Sequence, residues 1–361
     1  EGVTSIGGHA FYGCSSLTNI KIPEGVTSIG GHAFYGCSSL TNIKIPEGVT
    51  SIESSTFSEC SNLRNIEIPE GVTSIGSDAF SECSSLTNIK IPEGVTSIGY
   101  RAFYECSSLT NIEIPEGVTS IEYGVFLGCS SLTNIEIPEG VTSIGEDAFS
   151  GCSSLTNIAI PESITDIGES AIDMSTVIST KANTEGHRYA EENKVGYIID
   201  EEGPKITYTP NEATKPKKEH QIQVNIEDKK SGVREESLKY QWTQNTEEPN
   251  KESFIEKIEN EKIITKRDID GIWYLWVYAK DKVGNETIKR SEGYNFLNIG
   301  DINEDKKIDI TDIMILKRHI ISGSKENWKL KGEQLQKADM NQNGNIDITD
   351  LIILKKEIIK E

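Results

Sequence analysis

Cys14, Cys37, Cys60, Cys83, Cys106, Cys129 and Cys152 are the seven cysteines of this 361-residue chain, and each stands 23 residues after the one before. A period that strict settles the architecture before any motif is weighed, because a self-similar unit of this length is a repeat and repeats stack. Each unit reads L-x-x-I-x-I-P-x-x-V-x-x-I, then a loop, A-F and C. In the first full copy these are Leu17, Ile20, Ile22, Val26, Ile29, Ala33, Phe34 and Cys37. One unit is too short to bury its own apolar face, whereas stacked units bury a shared one and turn every position into a ladder. L-x-x-I-x-I supplies a short strand, Pro23 turns the chain, residues 26–29 supply a second short segment, and Phe34 fills the layer. The expected architecture is a solenoid.

The cysteine ladder reads as packing. An odd number of thiols with equivalent neighbours on either side makes a poor disulfide framework. No C-x-x-C pair is present, and His9 and His32 occur only in the first two copies, so no metal set recurs. All seven are expected reduced and buried. Positions that vary between copies are expected on the surface. On the strand they are Lys21, Lys44, Glu67, Lys90, Glu113, Glu136 and Ala159. Before the aromatic they are His9, His32, Ser55, Asp78, Arg101, Gly124 and Asp147, and after it Tyr12, Tyr35, Ser58, Ser81, Tyr104, Leu127 and Ser150. The asparagines from Asn19 to Asn157 should form a ladder that pairs along the stack. Residues 1–8 repeat the letters of residues 24–31, so the sequence opens inside a repeat and reads as a piece of a longer chain.

The stretch "LTNIKIPEGVTSIGGHAF" with its following cysteine resembles the leucine-rich repeats of BspA-like bacterial surface antigens. That resemblance implies a binding or display surface outside the cell rather than chemistry. After Cys152 the pattern decays, and Ser175 stands where the next cysteine would fall. Residues 185–193 read as a short helix and 195–199 as a last strand, the atypical end unit that an open stack needs as a cap.

Downstream, "PNEATKPKKEH" (210–220) reads as a linker or first loop. The β-rich runs 221–226, 238–243, 262–266 and 272–280, parted by "DKKSG" and "DKVGN", indicate an antiparallel sandwich of open topology. "SGV", "LKYQWT" and "GIWYLWVYAKDKVGNET" resemble bacterial immunoglobulin-like modules. Alternation in "IWYLWVYA" puts Trp273, Leu275, Val277 and Ala279 inward, leaving Tyr274, Trp276 and Tyr278 as an outward strip. Such a strip is a carbohydrate platform, or it is covered by cross-strand aromatic pairing or a neighbouring loop.

The sharpest motif comes last and comes twice. "DINEDKKIDITD" (301–312) and "DMNQNGNIDITD" (339–350) are twelve-residue loops with oxygen-bearing side chains at positions 1, 3, 5, 9 and 12. Calcium takes about six to eight hard oxygens in a flexible cage that such a loop can wrap. The candidate ligands of one ion are Asp301, Asn303, Asp305, Asp309 and Asp312 with the carbonyl of Lys307. Those of a second are Asp339, Asn341, Asn343, Asp347 and Asp350 with the carbonyl of Asn345. Position 6 favours glycine, which Gly344 satisfies and Lys306 does not. Amphipathic helices follow at 313–322 and 351–360. The pairs Ile313/Leu351, Leu316/Leu354, Ile320/Ile358 and Ile321/Ile359 are expected to pack them together.

"GDINEDKKIDITDIMILKRHI" and "ADMNQNGNIDITDLIILKKEI" resemble type I dockerins, calcium-dependent modules that plug secreted proteins into cohesins on a scaffold or partner enzyme. The resemblance implies cohesin contacts at Ile310, Thr311, Lys317 and Arg318, and again at Ile348, Thr349, Lys355 and Lys356. The isoleucines replace the small or polar residues frequent in that family.

The expected fold is multidomain and mainly β: a leucine-rich-repeat solenoid over 1–200, an immunoglobulin-like sandwich over 202–298 and a small helical dockerin over 300–361. A net charge of −21 argues against a nucleic-acid partner. No apolar run is long enough to span a bilayer. The histidines at 9, 32, 187, 220 and 319 are scattered, and neither a phosphate loop nor a nucleophile elbow is present. The chain therefore reads as a non-catalytic adaptor or adhesion protein, secreted or surface-associated, with a cohesin partner and a protein ligand for the solenoid. The alternative is the C-terminal accessory region of a secreted glycoside hydrolase or peptidase with its catalytic domain upstream.

Overall fold

The computed structural model describes residues 2–217, 219–259, 263–267, 271–297, 299–304, 307–322, 330–331 and 333–359. Of the positions singled out above, Lys262, Asp305, Lys306 and Lys360, and the boundary at 298, lie outside the described residues. The chain divides into two compact units. One joins residues 2–204 to Asp228–Arg234 and Lys280–Glu286, and the other holds the rest.

In the first unit the repeats stack in strict register. Asn42–Lys44 pairs parallel with Asn65–Glu67, and that strand with Asn88–Lys90, each residue facing its counterpart 23 positions on. A second parallel ladder joins Ser51–Ile52, Ser74–Ile75 and Ser97–Ile98. The pleat fixes this register, since a slip of one residue would bring the isoleucines out and the asparagines in. The turn at each proline closes the same way: Val49 N–H donates to the Pro46 carbonyl at 3.1 Å, and Val95 N–H to that of Pro92 at 3.0 Å. Between the ladders the phenylalanines from Phe34 to Phe149 are fully buried. They stack nearly parallel with centroids 5.4–5.7 Å apart, within the range of offset aromatic contact.

All seven cysteines are free. Six are buried, and each thiol donates to the carbonyl of a phenylalanine 26 residues earlier, such as Cys83 Sγ to Phe57 O at 3.1 Å. Burial pushes the Cys37 thiol up to about 11 and that of Cys60 to about 12. Cys14 departs from the expectation. It is exposed in this structure.

The loop positions expected on the surface also need correction. Ser55, Ser58, Ser81 and Gly124 are buried, and Tyr35, Arg101, Tyr104 and Leu127 are half-buried. Here the chain forms a third interlayer ladder: Ser55 N–H donates to Ser77 O, Phe57 to Ala79 and Glu59 to Ser81, at 2.8–2.9 Å. To do so it enters the left-handed region at His32, Ser55, Asp78, Arg101 and Asp147 (φ 52 to 58°) and at Gly124. Short side chains fit best between layers so closely joined. On the strand, Lys21, Lys44, Glu67, Lys90 and Glu113 are exposed as expected, while Glu136 is half-buried and Ala159 buried. The asparagines pair through their backbones in register, and threonines add interlayer side-chain bonds, as from Thr110 Oγ1 to the Thr87 carbonyl at 3.2 Å. Val177–Thr180, helix α1 (Glu185–Asn193) and Tyr197–Ile199 close the stack where a cap was expected.

The following segment folds into two sheets. Lys205–Thr209, Glu219–Glu227 and Ile263–Arg267 form one antiparallel sheet. The other orders Glu212–Lys217, Gly293–Phe296, Gly271–Asp281, Val233–Thr243 and Glu256–Lys257, with Glu286–Arg290 also on Gly271–Asp281. "PNEATKPKKEH" is thus not a linker. Residues 212–217 pair with Gly293–Phe296 at the sheet margin, where a proline is tolerated. Leu275, Val277 and Ala279 are buried as expected of the inner face and Trp273 only half-buried, but the outward aromatics are not exposed. Trp276 and Tyr278 are only 5% and 9% accessible, packed against Phe254, and Arg290 lies 4.9 Å above the Tyr274 ring. The covered strip removes the geometric basis for a carbohydrate platform. Three helices follow: α2 (Ile310–Ser322), α3 (Glu333–Ala338) and α4 (Ile348–Ile359). No described helix is long and apolar enough to cross a membrane.

Candidate calcium loops and docking face

The two twelve-residue loops fold alike because they are written alike. Asp312 and Asp350, at position 12, are fully buried and tie each loop to its own helix. Asp312 Oδ1 accepts from Ile302 N–H at 2.7 Å and Oδ2 from Asp309 N–H at 2.9 Å. Asn303 N–H also donates to Asp312 Oδ1 at 3.2 Å, and Asp350 accepts the equivalent bonds from Asn341 and Asp347 N–H at 3.3 and 2.8 Å. Position 9 caps the helix, as Asp309 Oδ1 accepts from Thr311 N–H and Asp347 Oδ1 from Thr349 N–H, both at 2.7 Å. The Thr311 hydroxyl and amide hold the Asp309 carboxyl below its ordinary value, and Thr349 does the same for Asp347. In the second loop Gly344 has φ +85°, as position 6 requires, and its N–H donates to Asp339 Oδ2 at 2.7 Å. Position 4 is left-handed in both loops, at Glu304 and Gln342, which the sequence did not announce.

Of the first loop's ligand set, Asp301, Asn303, Asp309 and Asp312 and the Lys307 backbone are described, and Asp305 is not. The second set, Asp339, Asn341, Asn343, Asn345, Asp347 and Asp350, is described throughout. The donors are carboxylate, amide and carbonyl oxygens, the hard set that suits calcium. Two buried carboxylates, each spanned by backbone N–H groups, fit a loop that closes round a cation.

The helices begin at Ile310 and Ile348, three residues before the expected starts. α2 and α4 pack through Leu316 and Leu354, both fully buried, with Ile313, Ile320, Leu351 and Ile358 around them. Ile321 and Ile359 are a correction. Expected in that interface, they are 72% and 75% accessible, because the helical turn carries them past the buried stripe. They lie instead with Ile310 and Met314 on α2, and with Ile348 and Ile352 on α4, all exposed. Thr311, Lys317, Arg318, Thr349, Lys355 and Lys356 are exposed as well. Met314 and Ile352 were missed. Their i, i+4 spacing from Ile310 and Ile348 was a visible signal, obscured because both helices are apolar beyond a single stripe.

Comparison with protein families bears on both ends of the chain. The model of the BspA type leucine rich repeat region matches in six copies, over residues 1–99 and 73–186. The chain belongs to the BspA-type leucine-rich-repeat family. Residues 299–359 match the type I dockerin domain. A dockerin of this type binds calcium and implies a cohesin partner, and the BspA-type repeats are an interaction scaffold.

Among solved structures, a leucine-rich repeat protein from Bacteroides ovatus is 36% identical over 50% of this chain and 54% of its own, with a TM-score of 0.43. The leucine rich repeat protein of T. pallidum is 37% identical over 42% and 72%, with a TM-score of 0.40. A leucine rich cell surface protein from Faecalibacterium prausnitzii is 30% identical over 54% and 72%, with a TM-score of 0.28. The chain thus spans 54% of the length of the Bacteroides ovatus protein. No curated protein matches the chain.

Proposed function

We propose that the chain is a non-catalytic extracellular adaptor, secreted or surface-associated, whose solenoid (1–200) presents a protein-binding surface and whose dockerin (300–361) attaches it to a cohesin. The two-sheet segment between them (202–298) serves as an immunoglobulin-like spacer. The dockerin holds two calcium ions, one in each loop, through the oxygens assigned above. The observation that carries this reading is the duplicated exposed face. Ile310, Thr311, Met314, Lys317, Arg318 and Ile321 recur 38 residues on as Ile348, Thr349, Ile352, Lys355, Lys356 and Ile359. A half-turn of the module presents nearly the same apolar and basic surface, so either helix can meet the partner.

The test is capture of the full chain on an immobilised type I cohesin. Capture in calcium, release by chelator and recovery on adding calcium back are expected. No capture by any of a panel of type I cohesins would contradict the reading.

A further inference from the structure

Away from the dockerin loops, Asp200, Asp228 and Asp281 converge in the first compact unit. Each offers a carboxylate oxygen lying within 4.8 Å of those of the other two. Asp200 ends the solenoid cap and is fully buried, and its Oδ2 has no hydrogen-bond partner. A buried carboxylate oxygen left unpartnered is costly and calls for a compensating charge.

Asp228 opens the "DKKSG" turn, where its Oδ1 accepts from the N–H groups of Lys230, Ser231 and Gly232 at 2.9–3.1 Å. Asp281, also fully buried, opens "DKVGN", where its Oδ1 accepts from Val283 and Asn285 N–H at 3.0 and 2.8 Å. The Asn285 amide bridges the Asp200 carbonyl and Asp281 Oδ2, at 2.9 and 2.7 Å. The turns thus hold two carboxylates in fixed orientation against the third. Lys230 Nζ stands 3.7 Å from Asp200 Oδ1. Its neighbours Lys280 and Lys282 are engaged with Glu139, Glu286 and Glu136. Three carboxyl groups thus face one lysine ammonium in a largely buried space. Burial pushes the Asp281 carboxyl up against the Asn285 hydrogen bonds, and Asp200 and Asp228 add to the rise.

We propose that Asp200, Asp228 and Asp281 bind a calcium ion that ties the end of the solenoid cap to the 228–234 and 280–286 turns. The donors are all hard oxygens, with no histidine or cysteine among them, which selects against zinc. Three oxygens within 4.8 Å of one another can share one calcium at its usual ligand distance of about 2.3–2.6 Å, water completing the shell. The site is independent of the dockerin.

The experiment counts calcium per full chain by equilibrium dialysis at about 1 mM free calcium, a concentration that fills extracellular modules. Asp200→Asn and Asp228→Asn keep the side-chain shape and the turn hydrogen bonds while removing charge. Each is expected to bind one calcium fewer than the unaltered chain and to keep cohesin capture. Calcium should also slow amide exchange in 228–234 and 280–286 about tenfold or more, and each variant should lose that protection. Asp312→Asn with Asp350→Asn should lower the calcium count separately and leave the 228–234 protection in place, which keeps failure of this site distinct from failure of the dockerin. An undiminished calcium count in either folded aspartate variant, or calcium-independent exchange in both turns, would overturn the proposal. Should Asp200→Asn not fold, Asp228→Asn, at the less buried position, decides alone.

Discussion

The solenoid and the dockerin both arise by copying a short unit, yet they hold themselves together by different means. A 23-residue copy stacked many times gives each inner layer two neighbours, so phenylalanine, cysteine and isoleucine ladders bury one another. A 38-residue copy made once gives two halves facing each other, and among the described residues its buried apolar cluster is Ile302, Leu316, Leu330, Ala338 and Leu354. The position-12 carboxylates buried beside that cluster point to an ion as a further support. Translational copying yields a stack whose layers support one another. Twofold copying yields a face that can be presented twice.

The largest effect expected concerns that doubled face. Replacing Ile310, Thr311, Lys317 and Arg318 together with their four counterparts should weaken cohesin binding by about a thousandfold or more, the scale of a lost hot-spot cluster. Changing either half alone should cost less than about tenfold, as read by surface-based affinity. Total loss from one half, with its calcium-bound fold intact, would show that a single face is used.

In the stack, Phe103→Ala removes a fully buried ring with a phenylalanine on each side and should cost about 3–5 kcal/mol in denaturant unfolding. Phe11→Ala, at a half-buried position in the first turn, should cost clearly less. Equal costs would mean that the layers do not share one core.

Thiol labelling sharpens the same contrast. At pH 8 one cysteine of seven, Cys14, should react in the native protein, and all seven after denaturation. A buried thiol holds its proton more tightly folded than unfolded, so its folded value is the raised one. Its contribution to stability is therefore complete below the unfolded value near about 8.5 and is lost as pH rises through the folded value. For Cys37 that folded value is about 11, and for Cys60 and Cys152 about 12. Alkaline titration should accordingly destabilise the stack from about pH 9 upward, and replacing the buried cysteines with alanine should flatten that slope. The smallest effect belongs to the exposed pairs Lys44–Glu24 and Lys90–Glu70, whose removal should change stability by about 0.5 kcal/mol or less.

The stack was legible in the sequence because its period is exact and its apolar positions recur in place. Even α1 was marked by the break at Ser175 and the polar run that follows. What the sequence hid depended on neighbours. Cys14 carries the same letters as Cys37 but is exposed where Cys37 is buried. Tyr35 and Arg101 vary like surface residues, yet the left-handed loop folds them between layers, and Arg101 lies 5.1 Å over the Tyr123 ring. Trp276 and Tyr278 alternate outward, but Phe254, more than twenty residues upstream, covers them. The candidate dockerin ligands form a spaced motif within one short loop, whereas Asp200, Asp228 and Asp281 come from three distant segments that only the fold brings together. Within "DKKSG" and "DKVGN" the shared opening aspartate was the one local sign.

The central claim is that an ion-dependent module rides on a self-supporting stack. Hydrogen exchange of the full chain, with and without calcium, tests it most directly. Removing calcium should raise exchange in 301–322 and 333–359 by about a hundredfold or more, the local opening of a module whose folding is coupled to metal, while residues 33–160 keep their protection. Undiminished protection of α2 and α4 in chelator, or loss of protection along the repeats, would contradict the account.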